Sequence, residues 1–288
     1  MAGVGPRLAW RKKLWVHLKA ALQALPVSIL LVAEGRDLYY RATWEVTEIP
    51  PSAFANGDVV AICNRWYTLP TWGHVLYSLV SKILLKSTWD DVGVIWVRDG
   101  VPHVCFCDFA GAQVVSLDEF ARTRLPRGLA LRRLRVETPD ASRVPTSSVA
   151  ALFIEEAKKL KPHPWYIFSA SRRCRQEHKY YEYSVDVSRQ RQKVYDMTVG
   201  RASRHAIGVQ KEKLRDMEVV QEHLGTFVDR DEVFRLYNGS LVASFLATFG
   251  LLDRDLPPPS RYVPQDFAHD LPFKCLASLD EPVIFFKN

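Results

Sequence analysis

Apolar residues follow two rhythms along this chain, and the changes of rhythm mark its elements. Gly57-Asp58-Val59-Val60-Ala61-Ile62 opens polar and becomes continuously apolar, the pattern of a buried strand entered through a turn. Trp89-Asp90-Asp91-Val92-Gly93-Val94-Ile95-Trp96-Val97 repeats it, with a polar lip followed by β-branched and aromatic residues and a stop at Arg98-Asp99-Gly100. Asp99-Gly100 is a hairpin dipeptide, so Val101 to Phe106 is predicted to return as the antiparallel partner. Tyr67 to Leu85 reads as an apolar helix that carries His74. Val149 to Leu160 is a second helix, with Ala150, Phe153, Ile154 and Ala157 in one stripe and Thr146 or Ser147 placed to cap it. Val209 to Leu224 is a charged helix laced by i,i+4 pairs. Leu241 to Leu251 is apolar all round, which makes it a buried helix, and Gly250 suits its C-terminal cap. Leu129 to Val136 alternates Leu with Arg as a half-exposed strand does, and Glu281 to Phe286 is a last strand.

Two further stretches flank this body. Tyr181, Tyr183, Val185 and Val187 alternate with polar residues, as do Val194 to Val199, so a basic β-hairpin connected through Ser188 to Gln192 is predicted inside an insert at about 166–235. Leu38-Tyr39-Tyr40 and Trp44 make Asp37 to Glu48 a strand or an extended packing arm, and Pro50-Pro51 is a break. Residues 1–49 therefore read as an N-terminal helix and arm, and residues 50–288 as the main α+β domain. Within the leader, Leu14, Leu18, Leu22 and Leu25 form a helical stripe behind Arg11-Lys12-Lys13, and Pro26 ends or kinks it. Three readings fit this leader: a mitochondrial targeting segment, a poor bilayer span interrupted by Lys19, Gln23 and Pro26, or a helix lying on a membrane or a partner protein.

Charge sharpens this picture more than composition does. With 288 residues and 48% apolar content the chain can fill one large core or two small ones. The net charge of +7 is unevenly placed: Met1 to Ala33 carries five cations and no acid, and Ser171 to Arg215 carries twelve cations against five acids. The remainder is mildly acidic. Arg172, Arg173, Arg175, Arg189 and Arg191 are the insert's candidates for contact with RNA or anionic lipid, although a solvated face explains such a patch equally well. The five cysteines fit neither a disulfide framework nor a zinc knuckle, and Cys105 and Cys107 share a strand face as small core residues, so a reducing compartment is expected. Asn238-Gly239-Ser240 matches a glycosylation triplet, which that compartment argues against. H-E-x-x-H, G-x-S-x-G and phosphate-loop motifs do not occur, which gives no support to a metal, nucleotide or other cofactor.

The order of these segments resembles the circularly permuted papain-like amidase and peptidase superfamily, which includes the YiiX-type hydrolases and, more distantly, the lecithin retinol acyltransferase family. The resemblance runs from about Pro50 to Lys287. It rests on the Gly57-Asp58 strand, on Asp91-Val92-Gly93 at a family "H-V-G" position, and on Tyr237-Asn238-Gly239-Ser240-Leu241-Val242 at a family "Y-C-S-E-L-V" helix start. It implies a papain-like sheet packed on helices, with Asp91 at the catalytic histidine position and Asn238 at the nucleophile. The third polar group falls near Phe106 to Asp108, where only Asp108 can orient a neighbour.

Neither replacement suits the chemistry. A cysteine hydrolase needs a thiolate and an imidazole that moves protons near neutral pH. Asn238 carries a neutral, delocalised amide, and a carboxylate with the ordinary aspartate pKa near 4 is a weak base at pH 7. The expectation is a catalytically inactive papain-like protein serving as an accessory subunit of a large mitochondrial assembly. An inner-membrane respiratory or ATP-synthase complex comes first and the mitochondrial ribosome second. The alternative is an active thiol hydrolase or acyltransferase built on Cys63 with His74 or His103. A third reading keeps the old cleft as a binding site for a lipid or peptide.

Overall fold

The computed structural model describes residues 28, 30–84, 86–137, 141–162, 175–226, 237–253 and 257–288. The chain falls into two compact units, Met1–Trp44 and Glu45–Asn288. The stripe Leu14, Leu18, Leu22 and Leu25 and the insert arginines Arg172 and Arg173 lie outside the described residues.

In the first unit residues 30–43 form a helix, α1. This corrects the extended arm expected from Asp37 onwards. Leu31, Val32, Gly35, Leu38 and Tyr39 recur at i, i+1, i+4, i+7 and i+8, a helical spacing that outweighs the local β preference of the Leu38-Tyr39-Tyr40 triplet. The extended chain begins at Trp44.

The second unit is built on a six-stranded sheet. Its strands are β1 (Val59–Cys63), β2 (Asp91–Arg98), β3 (Val101–Asp108), β4 (Gly111–Ser116), β5 (Gly128–Arg132) and β8 (Val283–Lys287), in the order β4-β3-β2-β1-β5-β8. Every neighbouring pair is antiparallel. β2 and β3 form the hairpin expected around Asp99-Gly100, in a register that pairs Gly93 with Phe106 and Val94 with Cys105. Asp99 and Gly100 both take positive φ, 52° and 76°, as the tight two-residue connection demands. A two-stranded ribbon pairs β6 (Leu134–Val136) with β7 (Ala277–Leu279).

Both faces of the sheet are covered. On one, Val59, Val92, Val94 and Cys105 pack with Val242, Phe245 and Leu246 of α7 (Asn238–Thr248) and with Ala150 and Ile154 of α4 (Ser147–Lys158). On the other, Val60, Ile62, Ile95, Val104 and Phe106 pack with Leu117 and Phe120 of α3 (Leu117–Arg124). Two-sided burial explains the unbroken apolar runs of β1 and β2. It also corrects β5, read as half exposed: all five residues are buried. Arg132 is tolerated there because its guanidinium donates to the carbonyls of Phe267, His269, Leu279 and Asp280, tying two distant loops to the sheet.

The insert is helical, which corrects the predicted β-hairpin. α5 (Arg175–Val199) and α6 (Arg204–Gly225) form an antiparallel helical hairpin. Gln190 Nε2 donates to Gln210 Oε1 at 2.9 Å, and Gln221 Nε2 to Ser184 Oγ at 2.9 Å. Tyr181, Tyr183, Val185 and Val187 do alternate, but Tyr181 and Val187 belong to a helical stripe of Glu177, Tyr180, Tyr181, Ser184, Val187, Gln190 and Val194, all buried, and Tyr183 is only half-buried. Polar members disguised that stripe. No Gly or Pro interrupts residues 175–199, and the chain turns only at Gly200 and Arg201.

Candidate functional site

α7 packs on one face of the sheet, and its first turn is where the resemblance placed the chemistry. Tyr237 N donates to Ser240 Oγ at 2.8 Å, and that hydroxyl donates back to Tyr237 O at 2.9 Å, closing the first turn. Gly239 is obligatory: a Cβ there would lie 2.3 Å from Tyr262 O, so the helix start is pressed against backbone. Gly93 is similarly confined, with Val104 Cγ2 2.6 Å from where its Cβ would stand. These two contacts seat α7 and β2 so that Asn238 faces Asp91.

Asn238 Nδ2 donates to Asp91 Oδ1 at 2.7 Å, and Asn238 Oδ1 accepts from Tyr77 Oη at 2.9 Å and from Gly239 N at 2.7 Å. Residues 147 positions apart in sequence are thus brought into direct contact. Tyr77 comes from α2 (Trp72–Leu84), whose buried stripe Tyr77, Ser78, Ser81 and Lys82 is largely polar. That stripe was missed in the sequence, although polar residues at i, i+1, i+4 and i+5 of an apolar helix are its signal.

A buried ion pair sits behind the site. Lys82 Nζ lies 3.8 Å from Asp90 Oδ1 and donates to Asn64 O at 2.6 Å, while Asp90 Oδ1 accepts from Asn64 N at 2.8 Å. Asp108, the expected orienting group, is turned elsewhere. It accepts from Arg124 Nη2 at 2.6 Å, from Gln113 Nε2 at 2.9 Å and from Ala110 N at 2.8 Å, with His74 Nε2 at 3.6 Å. Burial raises its carboxyl, but these donors outweigh burial and hold it below the ordinary value.

The electrostatics of Asp91 differ from the ordinary aspartate assumed for it. Burial above all, with the Asp90 and Asp108 charges adding to it, pushes the Asp91 carboxyl from 3.8 up to about 7, against the opposing hydrogen bonds of Asn238 and Val92 N. A proton is therefore shared between solution and Asp91 near neutrality, and basicity alone does not disqualify this residue. The group that Asp91 touches is the Asn238 amide, which is neutral. Because the folded pKa lies above the unfolded one, the native state holds this proton more tightly. Its contribution to stability is present below about pH 4 and is lost as pH rises to about 7. Asp91→Asn is accordingly expected to flatten the pH dependence of stability over that window, gaining on the wild type at pH 8 and not at pH 4. Urea denaturation at the two pH values reads this, and parallel curves would show that Asp91 is not the group responsible.

The residues of the alternative reading meet other partners. Cys63 is fully buried, and its Sγ accepts from Lys82 Nζ at 3.7 Å. His74 Nδ1 lies 2.7 Å from Thr71 Oγ1, and His103 Nδ1 lies 2.9 Å from Val101 O, so neither ring hydrogen-bonds to Cys63. Burial pushes the Cys105 thiol up to about 12 and raises Cys107 further. Arg189 is paired with Asp186 and Asp270, and Arg191 with Glu218, so both insert arginines are held within the domain. Among the described residues no group of three His, Cys, Asp or Glu is disposed to hold a metal ion, and no helix is long and apolar enough to cross a membrane. Comparison of the sequence with protein-family models finds no match, and comparison with curated proteins finds none either.

Proposed function

We propose that this is a catalytically inactive papain-like protein that acts as a structural accessory subunit of a large mitochondrial assembly. The observation that carries the reading is the Asn238–Asp91 hydrogen bond of 2.7 Å. A helix N-terminus meets a β-strand side chain where a nucleophile and its base would meet, and an amide closes the contact. Tyr77, Asp90 and Lys82 complete a polar interior that holds this junction together. The mitochondrial part of the proposal rests on the acid-free, cationic leader of residues 1–33. An inner-membrane respiratory or ATP-synthase complex and the mitochondrial ribosome are the assemblies such a leader and a basic insert suit.

The test is assembly. A chain lacking residues 1–33, with a substitute targeting sequence, is expected to remain folded and soluble while the full chain alone co-sediments with a particle of many subunits. Migration of the tagged full chain as a free monomer in mitochondrial lysate refutes the accessory role. Collapse of the truncated body would assign the leader to the core instead.

A further inference from the structure

One face of α6, running back from the tip of the hairpin, carries cations that make no ion pair among the described residues. Among the described residues, side-chain hydrogen bonds from α5 to elements other than α6 reach as far as Gln192, whose Nε2 donates to Glu137 Oε2 at 3.4 Å. From there α5 continues to Val199, about 10 Å farther. Arg204, Lys211 and Arg215 on α6 are exposed and, among the described residues, form no ion pair or side-chain hydrogen bond. At 3.6 residues per turn these three fall within roughly 40° of one another, a stripe about 16 Å long. Lys193 and Arg201, also exposed, add to the field around it, while Lys213 lies on the opposite face of α6. Glu212 and Asp216 lie about 100° round the helix from Lys211 and Arg215.

Gly208 sits beside this stripe, between Arg204 and Lys211. Nothing lies within 4 Å of where its Cβ would stand, and its φ is not among the positive ones. Glycine is the poorest helix former after proline, so a glycine in an exposed helix interior needs a reason. Turn geometry and internal packing supply none here. Close approach by something outside the domain supplies one. From Arg204 to Arg215 the only large apolar residue exposed is Val209, set about 140° round from Arg204, so the stripe offers a bilayer nothing to bury.

We propose that this stripe binds the phosphodiester backbone of a nucleic acid. Arg204, Lys211 and Arg215 each meet a phosphate, and Gly208 lets the strand come against the helix backbone. Recognition is of backbone charge, without base reading. The proposal does not depend on the reading of the Asn238 cleft, and neither of its variants touches that site.

The test uses the full chain and fluorescence anisotropy with 20-nucleotide RNA and DNA of one mixed sequence, in single- and double-stranded form, over a salt series. Binding is expected to weaken steeply with salt. Arg204→Glu/Lys211→Glu/Arg215→Glu is expected to lower affinity at least tenfold and to reduce the salt slope by about two, from three lost phosphate contacts. Gly208→Ala is expected to leave or raise the melting temperature while weakening binding severalfold; a solvated helix face would show only the thermal gain. The four probes identify which nucleic acid is preferred. Wild-type affinity in the triple variant, or in Gly208→Ala, overturns the site. Capture on phosphatidylserine vesicles that the triple variant loses, without nucleic-acid binding, reassigns the stripe to a membrane and refutes the proposal.

Discussion

Lys82→Met is expected to destabilise the fold by about 3 kcal/mol, the usual result of removing one partner from a buried ion pair. Lys82 and Asp90 are both almost wholly buried, so the loss leaves an anion in the interior with its cation gone. The Asn64 carbonyl also loses its 2.6 Å donor. The double substitution Lys82→Met/Asp90→Asn should recover most of that loss, because the amide keeps contact with Asn64 and carries no charge. Denaturant midpoints of the four proteins in this cycle measure it. A single variant within 0.5 kcal/mol of wild type, by the scale of ordinary surface substitutions, would mean that the pair is held in wet surroundings and does not organise the site.

The second large effect is a gain. Asn238→Cys/Asp91→His is expected to create a reactive thiol from a structure that has none at this position. The Asn238 side-chain oxygen occupies a point where the Tyr77 hydroxyl and the Gly239 N–H converge, two donors that favour an anion. A sulfur on the same Cβ stands at the N-terminus of α7 beside these donors, and an imidazole at Asp91 would reach it from the side where Asn238 Nδ2 now meets the carboxylate. The Asp90 and Asp108 carboxylates nearby favour the imidazolium form. Together these should bring the thiol pKa below about 7, within the range of activated cysteines. Alkylation by iodoacetamide at pH 6 should then run about tenfold faster than in Asn238→Cys alone, by the larger thiolate fraction. Equal rates in the single and double variants, both folded, would show that the two positions are not disposed as nucleophile and base, and would remove the main support for the papain-like reading.

Much of the sheet was legible because both its faces are buried. Continuous apolar runs in β1 and β2, a dipeptide that permits only a tight turn, and an all-round apolar α7 each leave few alternatives. The pairing of Asp91 with Asn238 came from segment order, since nothing local to either residue points to the other. The helical insert was not legible for a definite reason. Its buried stripe includes Glu177, Ser184 and Gln190, polar side chains whose partners lie on other elements, and the tyrosines and valines between them happen to alternate. In α1 the local β preference of three residues hid a longer period. Tyr77 and Lys82 escaped notice because a hydroxyl and an ammonium buried on a helix make sense only once Asn238, Asp90 and Asn64 are seen beside them. His74, read as a residue of an apolar helix and only in the alternative as a base for Cys63, is a neighbour of Asp108, with its other ring nitrogen on Thr71.

The sheet order places the beginning and the end of the second unit side by side. Thr47 N donates to Ile284 O at 2.8 Å, and Asn288 N donates to Arg127 O at 3.1 Å, so the first and last stretches of this unit are both anchored at the β5–β8 edge. Ends that lie this close can be joined by a short linker with little loss of chain entropy. A break placed at Gly200–Ser203, the turn between α5 and α6, would then sever no strand pairing and no contact of the Asn238 junction. The connectivity of this body is therefore nearly independent of its architecture: one set of packed elements admits more than one order along the chain.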